Sequence, residues 1–165
     1  MNLFRIIKHV MIPDWLARRP FSAAVCARIE QSIKASETMH RGEIRLAVES
    51  GFDLLPLLKG ITPRDRALKV FSDLGVWDTE ENTGVLVYLQ LVDRELEIVA
   101  DRGIHACVDQ QAWESICRRM EAAFREGRFE EGAISGLREI TDLLARHFPA
   151  RAENSDELPN RPVML

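Results

Sequence analysis

No stretch of this 165-residue chain approaches the roughly 20 consecutive apolar residues that a helix needs to cross a bilayer. The opening segment, MNLFRIIKHVMIPDWLARRPF, is broken by Arg5, Lys8 and Asp14 and has no signal-peptide core. The expectation is a mature chain that starts near Met1 and stays in the cytoplasm. Cysteine is scarce, and Cys26, Cys107 and Cys117 have no Cys-x-x-Cys spacing. That argues against a disulfide framework or a zinc site and predicts reduced, mostly buried thiols. A basic excess is also missing: the net charge is -4, which argues against a nucleic-acid binder. The chain lacks internal repeats, a nucleophile elbow, a phosphate-cradling glycine loop, a Rossmann fingerprint and a zinc-protease helix. Ser50 and Ser72 have no base at hand by spacing, so phosphoester chemistry would have to come from metal and carboxylates.

What is present is ordinary in amount and ordered in pattern. Apolar residues make up 46% and charged residues 29%, as in a soluble globular protein. The length predicts one domain that buries roughly 70% of its unfolded surface. Its centre is Thr83–His105, TGVLVYLQLVDRELEIVADRGIH. Val85 to Leu89 read as a strand buried on both faces, Val92 to Glu95 reverse the chain, and Leu96 to Ala100 return. A hairpin this apolar needs helices on both sides.

Residues 1–20 carry Arg5, Lys8, Arg18 and Arg19 against Asp14 alone. Leu3, Ile6, Ile7 and Val10 share one face of a short helix ended by Pro13. Two readings follow: a basic amphipathic segment that touches a membrane surface or a partner, and a helix docked on the domain's own core. The domain proper spans 21–148. Ser22 caps a helix to about Ser36, Glu43–Glu49 alternates as a strand, and Leu54–Leu58 is a short apolar piece. Thr62-Pro63-Arg64-Asp65 starts a helix ended by Gly75. After the hairpin, Asp109 caps a helix with Trp113, Ile116, Cys117, Met120 and Phe124 inward. A last helix, about Glu130–His147, has Gly132 and Gly136 on one face for a close crossing. Residues 149–165 read as an extended tail that docks through Leu158 and Val163. The fold class is α/β: a three-layer α/β/α sandwich around a mixed sheet of three to four strands, two parallel and the third reversed.

This topology brings the starts of the two parallel strands and the end of the returning one to a single rim. His40, Arg41 and Glu43 then approach Asp78, Glu80, Glu81 and Asn82, together with Asp101, Arg102, His105 and Asp109. Hard oxygen donors of this kind suit Ca²⁺ or Mg²⁺. Asp78, Glu81 and Asp101 are the candidate metal ligands, Asn82 an orienting group, and His105 a candidate acid or base, with His40 a second histidine able to move protons. The spacing Asp-x-Glu-Glu-Asn is no EF-hand. The plain alternative is a solvated loop face with Asp101 paired to Arg41 or Arg102. Glu49, Asp93, Arg94 and Glu95 collect at the opposite rim, where a simple hairpin turn is the plain alternative.

The ordered set His40-Arg41-Gly42-Glu43-Ile44, Ala67…Val70-Phe71, Asn82-Thr83-Gly84-Val85-Leu86, Asp93-Arg94 and Gly103-Ile104…Asp109 resembles the TPM domain family, over roughly residues 22–147. Val76-Trp77-Asp78-Thr79 and Ala100-Asp101-Arg102-Gly103-Ile104 resemble a cytosolic bacterial subgroup. The resemblance implies an α/β/α sandwich, divalent-cation binding in some members and weak acid-phosphatase activity in a plant member. It places Asn82, Asp93 and Asp109 on the family pattern. Two functions are therefore expected. One is a carboxylate-lined cation site with slow phosphoester hydrolysis; the other is a non-catalytic interaction domain for a protein or membrane-associated partner, peripheral to the membrane.

Overall fold

The computed structural model describes residues 3–151 and 156–165 of the chain. Four of the helices begin where a side chain satisfies a free N–H group. Ser22 Oγ accepts from Val25 N at the start of α3 (Ala23–Ser36), after the short α1 (Leu3–Met11) and α2 (Asp14–Ala17). β1 (Glu43–Glu49) and the one-turn α4 (Leu54–Leu58) follow. Thr62 and Asp65 form a reciprocal capping box at α5 (Pro63–Asp73), with Pro63 in its first turn. β2 (Gly84–Gln90) and β3 (Glu95–Ala100) make the hairpin, and Asp101 caps the one-turn α6 (Arg102–His105). Asp109 caps α7 (Gln110–Arg125); α8 (Phe129–His147) and the two-residue β4 (Val163–Met164) complete the order.

The sheet order is β3-β2-β1-β4. β1 and β2 run parallel from Glu43↔Gly84 to Glu49↔Gln90, and β3 returns antiparallel with Leu86↔Val99. β4 pairs parallel to β1 through Ala47↔Val163 and Val48↔Met164. Every residue of β1 and β2 is buried. One sheet face, with Ile44, Leu46, Val85, Val87 and Ile98, packs under α3, α7 and α8. The other, with Ala47, Leu86, Tyr88 and Val99, packs under Ala67 and Val70 of α5 and under Leu158. This is the α/β/α sandwich with a four-stranded mixed sheet that the pattern called for.

Close approaches explain two glycine positions. A Cβ on Gly84 would lie 1.9 Å from the Val76 carbonyl oxygen, so only glycine lets β2 start there. A Cβ on Gly136 would lie 2.1 Å from Met120 Sδ, at the tight α7–α8 crossing. The β3 edge is covered by side chains. On β3, Glu121 accepts from Leu96 N at 3.2 Å and Arg64 donates to Ile98 O at 2.8 Å.

Four features depart from the sequence pattern or sharpen it. The charged side of β1 is not solvated: Arg45 and Glu49 are buried, Glu49 by a bidentate pair with Arg66 and a hydrogen bond from Tyr88 OH. The 156–165 segment lies on the sheet, with Leu158 in the core and Leu165 N donating to Val48 O; residues 152–155 of the expected tail lie outside the described residues. α1 docks on the domain, but with its polar face inward. All three cysteines are free, and Cys107 is exposed.

Candidate functional sites at the two rims of the sheet

The first rim forms as the topology requires. Arg41 pairs with Glu81, which also takes Arg151 at 2.7 Å. Thr83 Oγ1 donates to Arg41 O, and Glu43 N donates to Thr83 O, tying the β1 entry to the β2 entry. Asn82 has φ 55°, a left-handed turn position that asparagine tolerates, and its Oδ1 accepts from Arg102 Nε at 2.8 Å. Gly103 N donates to Asn82 O, and a Cβ there would meet that oxygen at 2.6 Å. The loops carrying Glu81–Asn82 and Asp101–Gly103 are thus bound to each other.

Glu81, Asp101 and Asp109 of this rim are engaged in holding the chain. Asp101 Oδ1 accepts from Arg102 N at 2.6 Å, and Asp109 Oδ1 accepts from Gln111 N at 2.9 Å. Asp78, His105 and Asp109 are exposed. His40 is fully buried, and burial lowers its pKa to about 4, against a hydrogen bond that the ring donates to the Gly42 backbone. Among the described residues, the acidic oxygens that come within 4.8 Å of one another in a group of three are those of Glu37, Glu43 and Asp156. Asp78, Glu81 and Asp101 form no such group, and as they stand they do not fit a cation.

Glu37 is the residue that sequence reasoning missed. Burial, and then the charge of Glu43, push its pKa up to about 8; burial raises Glu43 too. Glu37 sits just past α3 and Asp156 near the far end of the chain, so no local pattern links them. Glu43 binds the C-terminal segment directly, accepting from Leu158 N at 3.1 Å.

The opposite rim is more than a hairpin turn. Asp93 accepts from Arg5 Nε at 2.8 Å and from His9 Nε2 at 2.9 Å, with Lys8 Nζ at 3.7 Å. Burial alone would raise the Asp93 pKa, but the His9 and Arg5 hydrogen bonds and charges outweigh it and hold it at about 2. The ring of His9 is buried and stacked on Phe52 at 5.4 Å, and its Nδ1 accepts from Phe52 N at 2.9 Å. Arg94, at φ 56°, holds its guanidinium over Phe129.

This clamp turns the apolar face of α1 away from the protein. On a 100° wheel, His9, Arg5 and Ile12 point inward, while Val10, Leu3, Ile7, Met11 and Phe4 span the outward arc. Phe4 is 75% exposed and Met11 73%; Trp15 of α2 is 72% exposed. α4 packs beside α1 and adds exposed Leu54, Leu55 and Leu58. An apolar patch this concentrated marks a contact surface.

Fold and site together define a mixed-sheet α/β/α domain in which Glu81 and Asp101 staple loops and an amphipathic helix leaves its apolar face exposed. A sequence model of the TPM domain matches residues 19–143, and the chain belongs to that family. It is similar to the BA42 protein of the psychrophilic bacterium Bizionia argentinensis, solved by NMR. Identity is 29% over 87% of this chain and 94% of that one, with a TM-score of 0.78. The N-terminal domain of a P. gingivalis protein, also solved by NMR, shares the fold at 23% identity, with a TM-score of 0.61 over 79% of this chain and 82% of that one. No curated protein matches the chain.

Proposed function

We propose that this TPM domain is a non-catalytic interaction domain that docks at a membrane-associated site through the outward face of α1, α2 and α4. The observation that carries this reading is the inverted seating of α1. Arg5 and His9 are spent on Asp93, and five apolar side chains are left outside. A helix whose only task was to cover the core would bury that face. Among the described residues no helix is long and apolar enough to cross a membrane, so the contact would be peripheral. The test is fractionation of cells that make the whole chain. The wild type is expected with the particulate fraction, and Phe4→Asp/Ile7→Asp in the supernatant; identical distributions would defeat the reading.

A second reading keeps a divalent cation, Ca²⁺ or Mg²⁺, at the β1 entry, favoured by the approach of Glu37, Glu43 and Asp156. Asp78, Glu81 and Asp101 could join only after Glu81 releases Arg41 and Arg151. Slow phosphoester hydrolysis with His105 as acid or base depends on that rearrangement. Calcium titration followed by amide shifts tests it; unmoved resonances at 37–43, 78–82 and 101–109 at millimolar ion would remove it.

A further inference from the structure

We infer that the cleft between the α1–α2 segment and the β2–β3 turn is a binding site for a small amphipathic anion, an aliphatic body carrying a carboxylate head. The cleft lies on the inner side of α1, so the inference goes beyond the docking reading above and does not rest on it. Its volume is about 440 Å³, within the roughly 300–1,000 Å³ of small-molecule sites. Buried Leu91 and Val92 line it from the turn, Leu16 and Pro20 from the α2 segment, and Phe129 from the start of α8. These walls are held before any ligand arrives. Leu91 N and Val92 N donate to Glu49 O and Ser50 O. The Phe129 ring stacks on Phe124 at 5.3 Å and meets Phe21 edge-on at 6.1 Å. A preformed apolar cavity binds without the cost of ordering its own side chains.

The charged groups of the cleft are of one sign. They are Lys8 and Arg94, and no carboxylate is among the described residues that line it. Arg94 is placed by its left-handed backbone, at φ 56°, and by its guanidinium, which lies over the Phe129 ring and donates through Nη1 to Arg125 O at 3.2 Å. Among the described residues no carboxylate pairs with it, which leaves Nε and Nη2 to meet an anion. Lys8 Nζ stands 3.7 Å from Asp93 Oδ1, beyond hydrogen-bond reach, and Asp93 shares its single charge with Arg5. Asp93 is turned into the α1 clamp and does not line the cleft. A guanidinium edge offers parallel donors to a carboxylate, and the Lys8 ammonium adds a second positive charge. The aliphatic tail then covers exposed Leu16 and half-buried Phe129. A cationic ligand would meet two like charges, and a purely apolar one would leave both unused.

The experiment titrates the purified full chain with sodium octanoate and follows backbone amide shifts, with octanol as the neutral probe and sodium acetate as the tail-less one. Saturable shifts are expected at residues 16–17, 91–94 and 129. Octanol should bind about tenfold more weakly, and acetate should leave the spectrum unmoved at the same concentration. Arg94→Asn keeps a residue that tolerates the left-handed backbone and should bring octanoate down to the octanol level. The octanoate-to-octanol ratio is read on the wild type and needs no variant. Equal affinities for the two probes, or an octanoate affinity that Arg94→Asn leaves intact, would overturn the anionic assignment. Shifts confined to residues 3–4, 7 and 10–11 would put the probe on the outer face of α1 and overturn the cleft. So would the absence of saturable shifts up to about 10 mM octanoate. The docking reading is judged by fractionation, so either can fail without the other.

Discussion

His9 has one tautomer available. Its Nδ1 accepts the Phe52 N–H, so the proton sits on Nε2 and is donated to Asp93. The donor and acceptor needs of the buried imidazole are met only when α1 is seated. Asp93→Asn keeps the shape and removes the charge that holds Arg5 and His9. It should loosen α1 by about 1–3 kcal/mol, read as faster amide exchange over residues 3–12 with the sheet unchanged. The wild-type clamp has a pH limit of its own. A carboxyl held at about 2 contributes stability above the ordinary aspartate range, near 3.9, and loses it as pH falls toward 2. Glu37 works in the opposite sense. Its proton is held up to about pH 8, so its contribution is complete below an ordinary glutamate pKa of about 4.3 and declines as pH rises through 8. His40, neutral down to about pH 4, loses its contribution as pH falls from about 6.5 to 4. Glu37→Gln should therefore flatten the alkaline side alone, shrinking the drop in melting temperature between about pH 5 and pH 8 by ~3 °C or more. A drop unchanged by the substitution would contradict the assignment.

At the scale of elements, most of the architecture could be read from the chain because each signal has a local cause. Thr62-Pro63-Arg64-Asp65 is a cap whichever domain holds it, and Val85–Leu89 has no charged residue to offer water. Gly132 and Gly136 announced a close crossing, and Met120 is what crosses. What periodicity could not give is direction. It grouped Leu3, Ile6, Ile7 and Val10 on one face, of which Ile6 is half-buried and the others exposed, but not which way that face points, because Asp93, the residue that decides it, lies on the β2–β3 turn. The rim was legible as a meeting of loops and illegible as chemistry, since whether Glu81 meets an ion or Arg41 depends on guanidinium groups brought in by other segments. Glu37 and Asp156 were invisible for the same reason. Gly84 offers a direct check on the β2 entry. Gly84→Ala sets a methyl against the Val76 carbonyl and should cost about 3 kcal/mol in chemical denaturation.

For the whole molecule, what matters is how the sheet ends. The three-stranded core β3-β2-β1 has two outer ladders, and here side chains from α5 and α7 cover one while the two-residue β4 covers part of the other at Ala47 and Val48. Leu158 secures that second closure from within the core. Leu158→Ala should lower stability by about 2 kcal/mol or more and raise light scattering on heating, as the β1 ladder is left bare. The order of the strands also has a consequence for biogenesis. β1 leaves the ribosome well before β4, so a growing chain carries a naked hydrogen-bonding flank until residues 163–164 emerge. Chaperone demand for this protein should fall only when Val163 and Met164 emerge.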